Sequence, residues 1–293
     1  MGVLAKPELP PGVNPDWTIP QGFERYNDAE HQTWTTLYER QAEILPGRAC
    51  GAFLHGLDAL DLHGQGIPDF RQLNETLFPL TGWTIVAVPG LVPDAVFFDH
   101  LANRRFPAGN FIRGAGELDY LELPDIFHDV FGHVPMLTDP VFADYMQAYG
   151  KGGLRALSLG SLANLARLYW YTVEFGLLET PEGLRIYGAG IVSSKTESIF
   201  ALASDSPNRL GFDLERVMRT LYRIDDFQQV YFVIPSLAYL LDVTTGTDFG
   251  PLYAKFSNMP DIPIAAIEPG DKVFTHGTQD YARGGGRLRQ GAA

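Results

Sequence analysis

The chain has 293 residues, which allows one or two domains and a sizeable core. Its formal net charge of −13 argues against binding to a phosphate backbone and against an anionic membrane surface as the main partner. The single cysteine, Cys50, excludes an intrachain disulfide framework, and no segment has the length and hydropathy of a signal-peptide core or a membrane span, so a soluble chain in the reducing cytoplasm is expected.

Residues 1–21 carry five of the 21 prolines and read as an extended arm, partly polyproline II. A flexible arm is placed at 1–16, and no linker or repeat interrupts a single domain over 17–283. The Gly-rich stretch 284–293 reads as a disordered tail. Helices dominate the pattern in between. Asp28–Leu45 has helical periodicity around Trp34, Leu37, Tyr38 and Gln41, with Asp28 and Glu30 in its first turn. Short strands are expected at Trp83–Val88 and Leu184–Tyr187. Further helices are expected at Ser161–Leu178, capped by Ser161, at Asp213–Leu221, and at Phe227–Leu241 with a break at Pro235. The pattern is not βαβ, and no GxGxxG or GxxxxGK[ST] loop is present. The fold class is mainly α with a few short strands.

The chemistry concentrates in Pro124-Asp-Ile-Phe-His128-Asp-Val-Phe-Gly-His133-Val-Pro135. In an ideal α-helix two residues five apart point about 140° away from each other. Gly132 loosens such a helix and Pro135 disfavours α geometry at Val134, so a turn at His133 is expected to bring both imidazoles together. Two structural histidines are the alternative. A second clue is Glu174, set between Val173 and Phe175 in a segment that is apolar after Arg167. A buried carboxylate needs a cation, either an Arg or Lys partner or a metal. Two imidazoles and one carboxylate make the facial set of non-haem Fe(II) oxygenases, and the same ligands also serve zinc hydrolysis. A non-catalytic domain with structural histidines also remains open. Phe97, Phe98, Phe106, Phe111, Trp170 and Tyr187 could line a pocket for flat rings, and Arg113 could clamp a carboxylate as a bidentate pair.

The segment 124–135, together with Tyr169-Trp-Tyr-Thr-Val-Glu-Phe-Gly176 and Tyr187-Gly-Ala-Gly-Ile-Val-Ser-Ser194, resembles the pterin-dependent aromatic amino acid hydroxylases over about residues 17–252. The resemblance is greatest to the single-domain bacterial members that act on phenylalanine. It implies a helical basket with a few short strands around a non-haem iron. It implies Fe(II), a tetrahydropterin and O₂ as cofactors and co-substrate, and conversion of L-phenylalanine to L-tyrosine. It places His128, His133 and Glu174 as iron ligands. Arg113, Trp170 and Ser193 fall at the amino-acid site, and Gly90, Leu91, Phe97 and Asp129 at the pterin pocket. Tyr169 and Glu197 fall at supporting positions, and no side chain beyond the iron site acts as a catalyst. Tryptophan is the alternative substrate within the family. Leu123 replaces a glutamate and Leu121 a threonine found in relatives. Nothing resembles a tetramerising coiled coil, so a monomer is expected, with no nucleic-acid or membrane partner.

Overall fold

The computed structural model describes residues 9–119 and 123–285. Leu121, the first eight residues of the arm and residues 286–293 of the expected tail lie outside the described residues. Helix α1 (Asp28–Ile44) forms where the periodicity places it. Asn27 caps it: its side chain accepts from the Glu30 N–H, and the Glu30 carboxylate accepts from the Asn27 N–H. Trp34, Leu37 and Gln41 are its buried stripe. Helices α2 (Gly51–Ala59) and α3 (Phe70–Thr81) add Phe53, Leu57, Leu73 and Leu77 to the core.

Strand β1 (Thr84–Val88) also forms as expected, but its sequel does not follow the pattern. Helix α4 (Asp94–Ala102) leads into β2 (Arg105–Gly109), which runs parallel to β1 with Thr84 opposite Arg105 and Val88 opposite Gly109. One βαβ unit therefore exists where none was expected. Its second strand reads Arg-Phe-Pro-Ala-Gly, a composition that argues against a strand. Pro107 is tolerated because β2 is an edge strand of a two-stranded sheet. The described part of the arm seats on this unit, with Ile19 N–H donating to the Ala87 carbonyl at 2.9 Å and Arg105 pairing with Asp16 at 2.6 Å.

Helix α5 (Pro140–Ser158), capped by Asp139, buries Phe142, Tyr145, Met146 and Tyr149 and packs against α4. Helix α6 (Leu162–Tyr169) follows without the expected cap, since the Ser161 hydroxyl turns to the Leu159 carbonyl. The helix expected to reach Leu178 stops at Glu174, and Leu177–Thr180 is strand β3, paired as a hairpin with β4 (Gly183–Ile186). Short helix α7 (Ala189–Val192) and helix α8 (Lys195–Ala203) lead to β5 (Asn208–Gly211) and to α9 (Leu214–Arg219), the latter within its expected span.

The expectation of a helix from Phe227 is wrong in its first half. Val230–Ile234 is strand β6, buried at every residue and parallel to both β3 and β5. A short continuous run of β-branched and aromatic residues is what a fully buried central strand requires, and periodicity alone cannot separate it from a buried helix. Pro235 ends the strand, and the Ser236 hydroxyl caps α10 (Leu237–Thr245). Helix α11 (Phe249–Phe256), strand β7 (Val273–Thr275) and helix α12 (Asp280–Arg283) complete the fold. The five-stranded order is β4-β3-β6-β5-β7. Among the described residues no helix is long and apolar enough to cross a membrane.

Candidate metal centre

His128 and His133 lie on the segment Phe127–His133, and Glu174 ends the segment Trp170–Glu174. Both segments are π-helical. Their i→i+5 hydrogen bonds, such as Phe175 N–H to the Trp170 carbonyl at 2.8 Å, widen the helix and bring residue i+5 over residue i. The two histidines thus meet by a change of helical pitch within one segment, not by the turn expected at His133 with Gly132 loosening the helix. Gly132 has a different purpose. A methyl group there would sit 3.1 Å from the Ala189 carbonyl and 3.4 Å from Ser193 Cβ, so glycine lets α7 press against the histidine-bearing segment. Gly188 and Gly190 do the same for Glu174: a side chain at Gly188 would collide with the Glu174 carbonyl.

The Nε2 atoms of His128 and His133 are 3.2 Å apart. Glu174 Oε1 is 3.3 Å from His133 Nε2, and Oε2 is 3.6 Å from His128 Nε2. Donors about 2.1 Å from one ion and at right angles lie about 3.0 Å apart, so the two imidazole nitrogens are close to that spacing and each Glu174 oxygen faces one of them at a slightly longer distance. The hydrogen bonding also suits ligation. Ser193 Oγ donates to the Ala189 carbonyl at 2.8 Å, so its single proton is committed. It must therefore accept at 3.0 Å from His128 Nδ1–H, which leaves the Nε2 lone pair facing the cluster. Burial pushes the His128 pKa down to about 4, with His133 adding to this against Glu174, so the imidazole is neutral at pH 7. Burial disfavours the Glu174 anion, but the two imidazoles and the Gly190 N–H outweigh it and hold the carboxyl below its usual value. Two neutral imidazoles and a carboxylate fit a divalent first-row cation, and this is the single such cluster among the described residues.

Two cavities meet at this cluster and share Pro124, His128 and Glu174. One, of about 360 Å³, is lined by Arg113, Trp170, Ser193 and Glu197. The other, of about 250 Å³, is lined by Gly90, Leu91, Phe97, Phe106, Asp129 and Tyr169. The residues expected around two flat ligands therefore separate into two groups on either side of the donors. Within the second cavity Phe97 meets Tyr169 edge-on at 5.9 Å, and His133 rests against Phe106 at 5.0 Å. Burial pushes the Asp129 carboxyl up to about 7, against a 2.8 Å hydrogen bond from the Gly109 N–H. Of the other aromatic residues expected at a pocket, Phe98 and Tyr187 are in the core and Phe111 is at the surface.

Arg113 is buried, and its first partner is a protein carboxylate. Nε and Nη2 each donate to Asp125 at 2.8 Å, and Asp125 also accepts from the backbone N–H groups of Arg113 and His128. Burial opposes the Asp125 anion, and Arg113 with these N–H groups more than compensates, holding the carboxyl below its usual value. Arg113 also lines the larger cavity. Sequence reasoning passed over Asp125, although its setting among Pro124, Ile126 and Phe127 is the same signal that singled out Glu174. It also passed over Gln228, whose Oε1 accepts from Trp170 Nε1–H at 2.9 Å, and no local pattern marks that residue. Glu197 accepts from the Tyr231 hydroxyl and from the Gln228 N–H.

The family model described as biopterin-dependent aromatic amino acid hydroxylase matches residues 18–243, and the chain belongs to that family. Phenylalanine-4-hydroxylase of Caulobacter vibrioides is 73% identical over 97% of this chain and 96% of its own length. The enzyme of the same name from Ralstonia nicotianae is 60% identical over 92% of this chain and 85% of its own. The crystal structure of phenylalanine hydroxylase from Chromobacterium violaceum with bound iron and phenylalanine matches with a TM-score of 0.86 and 56% identity, covering 90% of this chain and 96% of that one. The family is one of biopterin-dependent hydroxylases, and neither a zinc hydrolase nor a non-catalytic module finds support.

Proposed function

We propose that this chain is a phenylalanine 4-monooxygenase that converts L-phenylalanine to L-tyrosine with Fe(II), a tetrahydropterin and O₂. The observation that carries the reading is the pair of cavities meeting on one edge of a facial His–His–Glu set. His128, His133 and Glu174 hold the iron. Bound together, iron and pterin supply the activation of O₂ and the delivery of one oxygen atom to the aromatic ring.

The protein's own work is positioning and exclusion of water. Arg113, locked by Asp125, offers its guanidinium to the substrate carboxylate. Trp170, pinned by Gln228 and stacked on Tyr222 at 4.5 Å, walls the ring end of the larger cavity. Ser193 sets the His128 tautomer, and Glu197 holds the strand and loop behind the cavity. Phe97 provides a stacking face for the pterin, with Gly90, Leu91 and Asp129 around its polar edge and Tyr169 beneath the cluster. No side chain is required as nucleophile or general base. The reading carries a single catalytic domain over 17–283, a monomer and a cytoplasmic location, supported by the lone buried cysteine and the absence of heptads.

The test is reconstitution with Fe(II) and a tetrahydropterin under air, following tyrosine from phenylalanine, with tryptophan in a parallel reaction. Pterin-dependent tyrosine that disappears when zinc replaces iron is expected. Failure to form tyrosine, or equal turnover with zinc and no pterin, overturns the reading.

A further inference from the structure

Residues 273–283 lie beyond the stretch matched by the family model and do not line the larger cavity, yet through Tyr281 they contact Asp226, which does. Strand β7 pairs with β5 at the sheet edge, and the chain after it is stitched down. Gly277 N–H donates to Asn208 Oδ1 at 2.8 Å, Gln279 Nε2 to the Gln229 carbonyl at 3.1 Å, and Tyr281 N–H to Ser206 Oγ at 3.1 Å. Gln279 adopts φ +59°, which a non-glycine residue holds only under constraint, and its N–H donates to the Ser206 carbonyl at 2.8 Å. The bend turns Tyr281 toward Asp226. Its hydroxyl donates to Asp226 Oδ1 at 3.0 Å, and its ring packs against Phe200 and Phe227, which stack on each other at 4.3 Å.

Asp226 belongs to the loop Arg223–Gln228, and Ile224, Asp226 and Gln228 of that loop line the larger cavity. Within the loop, Gln228 Nε2 donates to the Arg223 carbonyl at 3.0 Å, while its Oε1 accepts from Trp170 Nε1–H. A continuous series of directed contacts thus runs from Tyr281 through Asp226 and the loop to the indole beside the metal cluster. The Asp226 carboxylate is 2% exposed, accepts from the Phe227 N–H at 2.8 Å and lies 3.7 Å from Arg223 Nη2, so the Tyr281 hydroxyl is bonded to a group already fixed within the loop.

We infer that the segment 273–283 is a strap that positions the substrate-side wall, with Tyr281 as the positioning residue that holds the Arg223–Gln228 loop and, through it, Trp170. This inference rests on the larger cavity being the amino-acid site.

The experiment uses the full chain, wild type and with Tyr281→Phe, which keeps the ring and removes the hydroxyl, and Tyr281→Ala. L-phenylalanine binding is measured by calorimetry on anaerobic Fe(II) protein, together with tryptophan emission without ligand. Tyr281→Phe should weaken phenylalanine binding by about three- to tenfold, less than the full worth of one hydrogen bond to a carboxylate because the effect reaches the ligand through the loop, at unchanged iron content. Tyr281→Ala should weaken it further and shift the emission, and the shift should vanish in a Trp170→Phe background. Wild-type affinity in both variants overturns the strap. If the wild type itself binds no phenylalanine, the substrate reading fails and the emission decides the inference: a Trp170-dependent shift supports it, and an unchanged spectrum overturns it.

Discussion

Pro124, His128 and Glu174 serve both cavities, but the walls beyond them are made differently. The larger cavity is walled by polar groups whose partners lie inside the protein: Arg113 with Asp125, Trp170 with Gln228, and Glu197 with Tyr231. Each is fixed before a ligand arrives, so recognition there is by preset charge and direction. The smaller cavity is walled by rings, Phe97, Phe106 and Tyr169, and by the loop between β1 and α4. In that loop Gly90 has φ +148° and Leu91 is 72% exposed. Its recognition is by stacking and by a loop that glycine allows to bend. On the proposed assignment, preset polar groups orient the ligand on one side of the metal cluster and ring stacking holds the ligand on the other, where the buried Asp129 carboxyl is the polar group.

Substitutions can separate the two sides. Glu174→Ala should have the largest effect, because it removes a donor common to both: bound iron and hydroxylation should be lost together, as read by metal analysis and tyrosine formation. Arg113→Lys comes next and should act on one side only. It keeps the charge but not the planar fork, so the KM for phenylalanine should rise about 10- to 100-fold while the KM for the pterin stays put. Arg113→Ala is a poorer probe, since it strands the buried Asp125 carboxylate and should cost about 3–5 kcal/mol of stability, visible as a lowered Tm. Ser193→Ala should again act on both sides, through the metal. Loss of the His128 tautomer lock should weaken iron affinity about tenfold or more in a competition titration, with less effect on either KM once iron is saturating. Phe97→Ala should be the mildest, raising the KM for the pterin about three- to tenfold and sparing phenylalanine. A matched rise in both KM values for Arg113→Lys or Phe97→Ala would break the distinction between the sides.

Several features of this site are readable from residues alone, for identifiable reasons. Glu174 stands out because a carboxylate in an apolar helix must find a cation, and the burial of its surroundings is a local property of the sequence. Helix α1 announces itself by its period and its acidic first turn, and strand β1 by its apolar run and the turn residues after it. The misreadings occur where the local signal points the wrong way. β6 is a continuous apolar run that suits a helix or a central strand equally well, and it becomes a strand because β3 and β5 supply partners on both edges. β2 looks unlike a strand because of Pro107 and Gly109, and it pairs because α4 returns the chain beside β1.

The sequence by itself determined the donor types and their place in apolar segments, because these depend on side-chain chemistry and neighbours along the chain. Tertiary structure decided which atoms meet. The π-helical pitch that aligns His128 with His133, the Ser193 hydroxyl that orients His128 from 65 residues away, and the Gln228 amide that pins Trp170 from 58 away all arise from packing between distant elements. A hydrogen bond between such elements has a geometric requirement of a few tenths of an ångström, which nothing in the local sequence encodes and only the assembled core imposes.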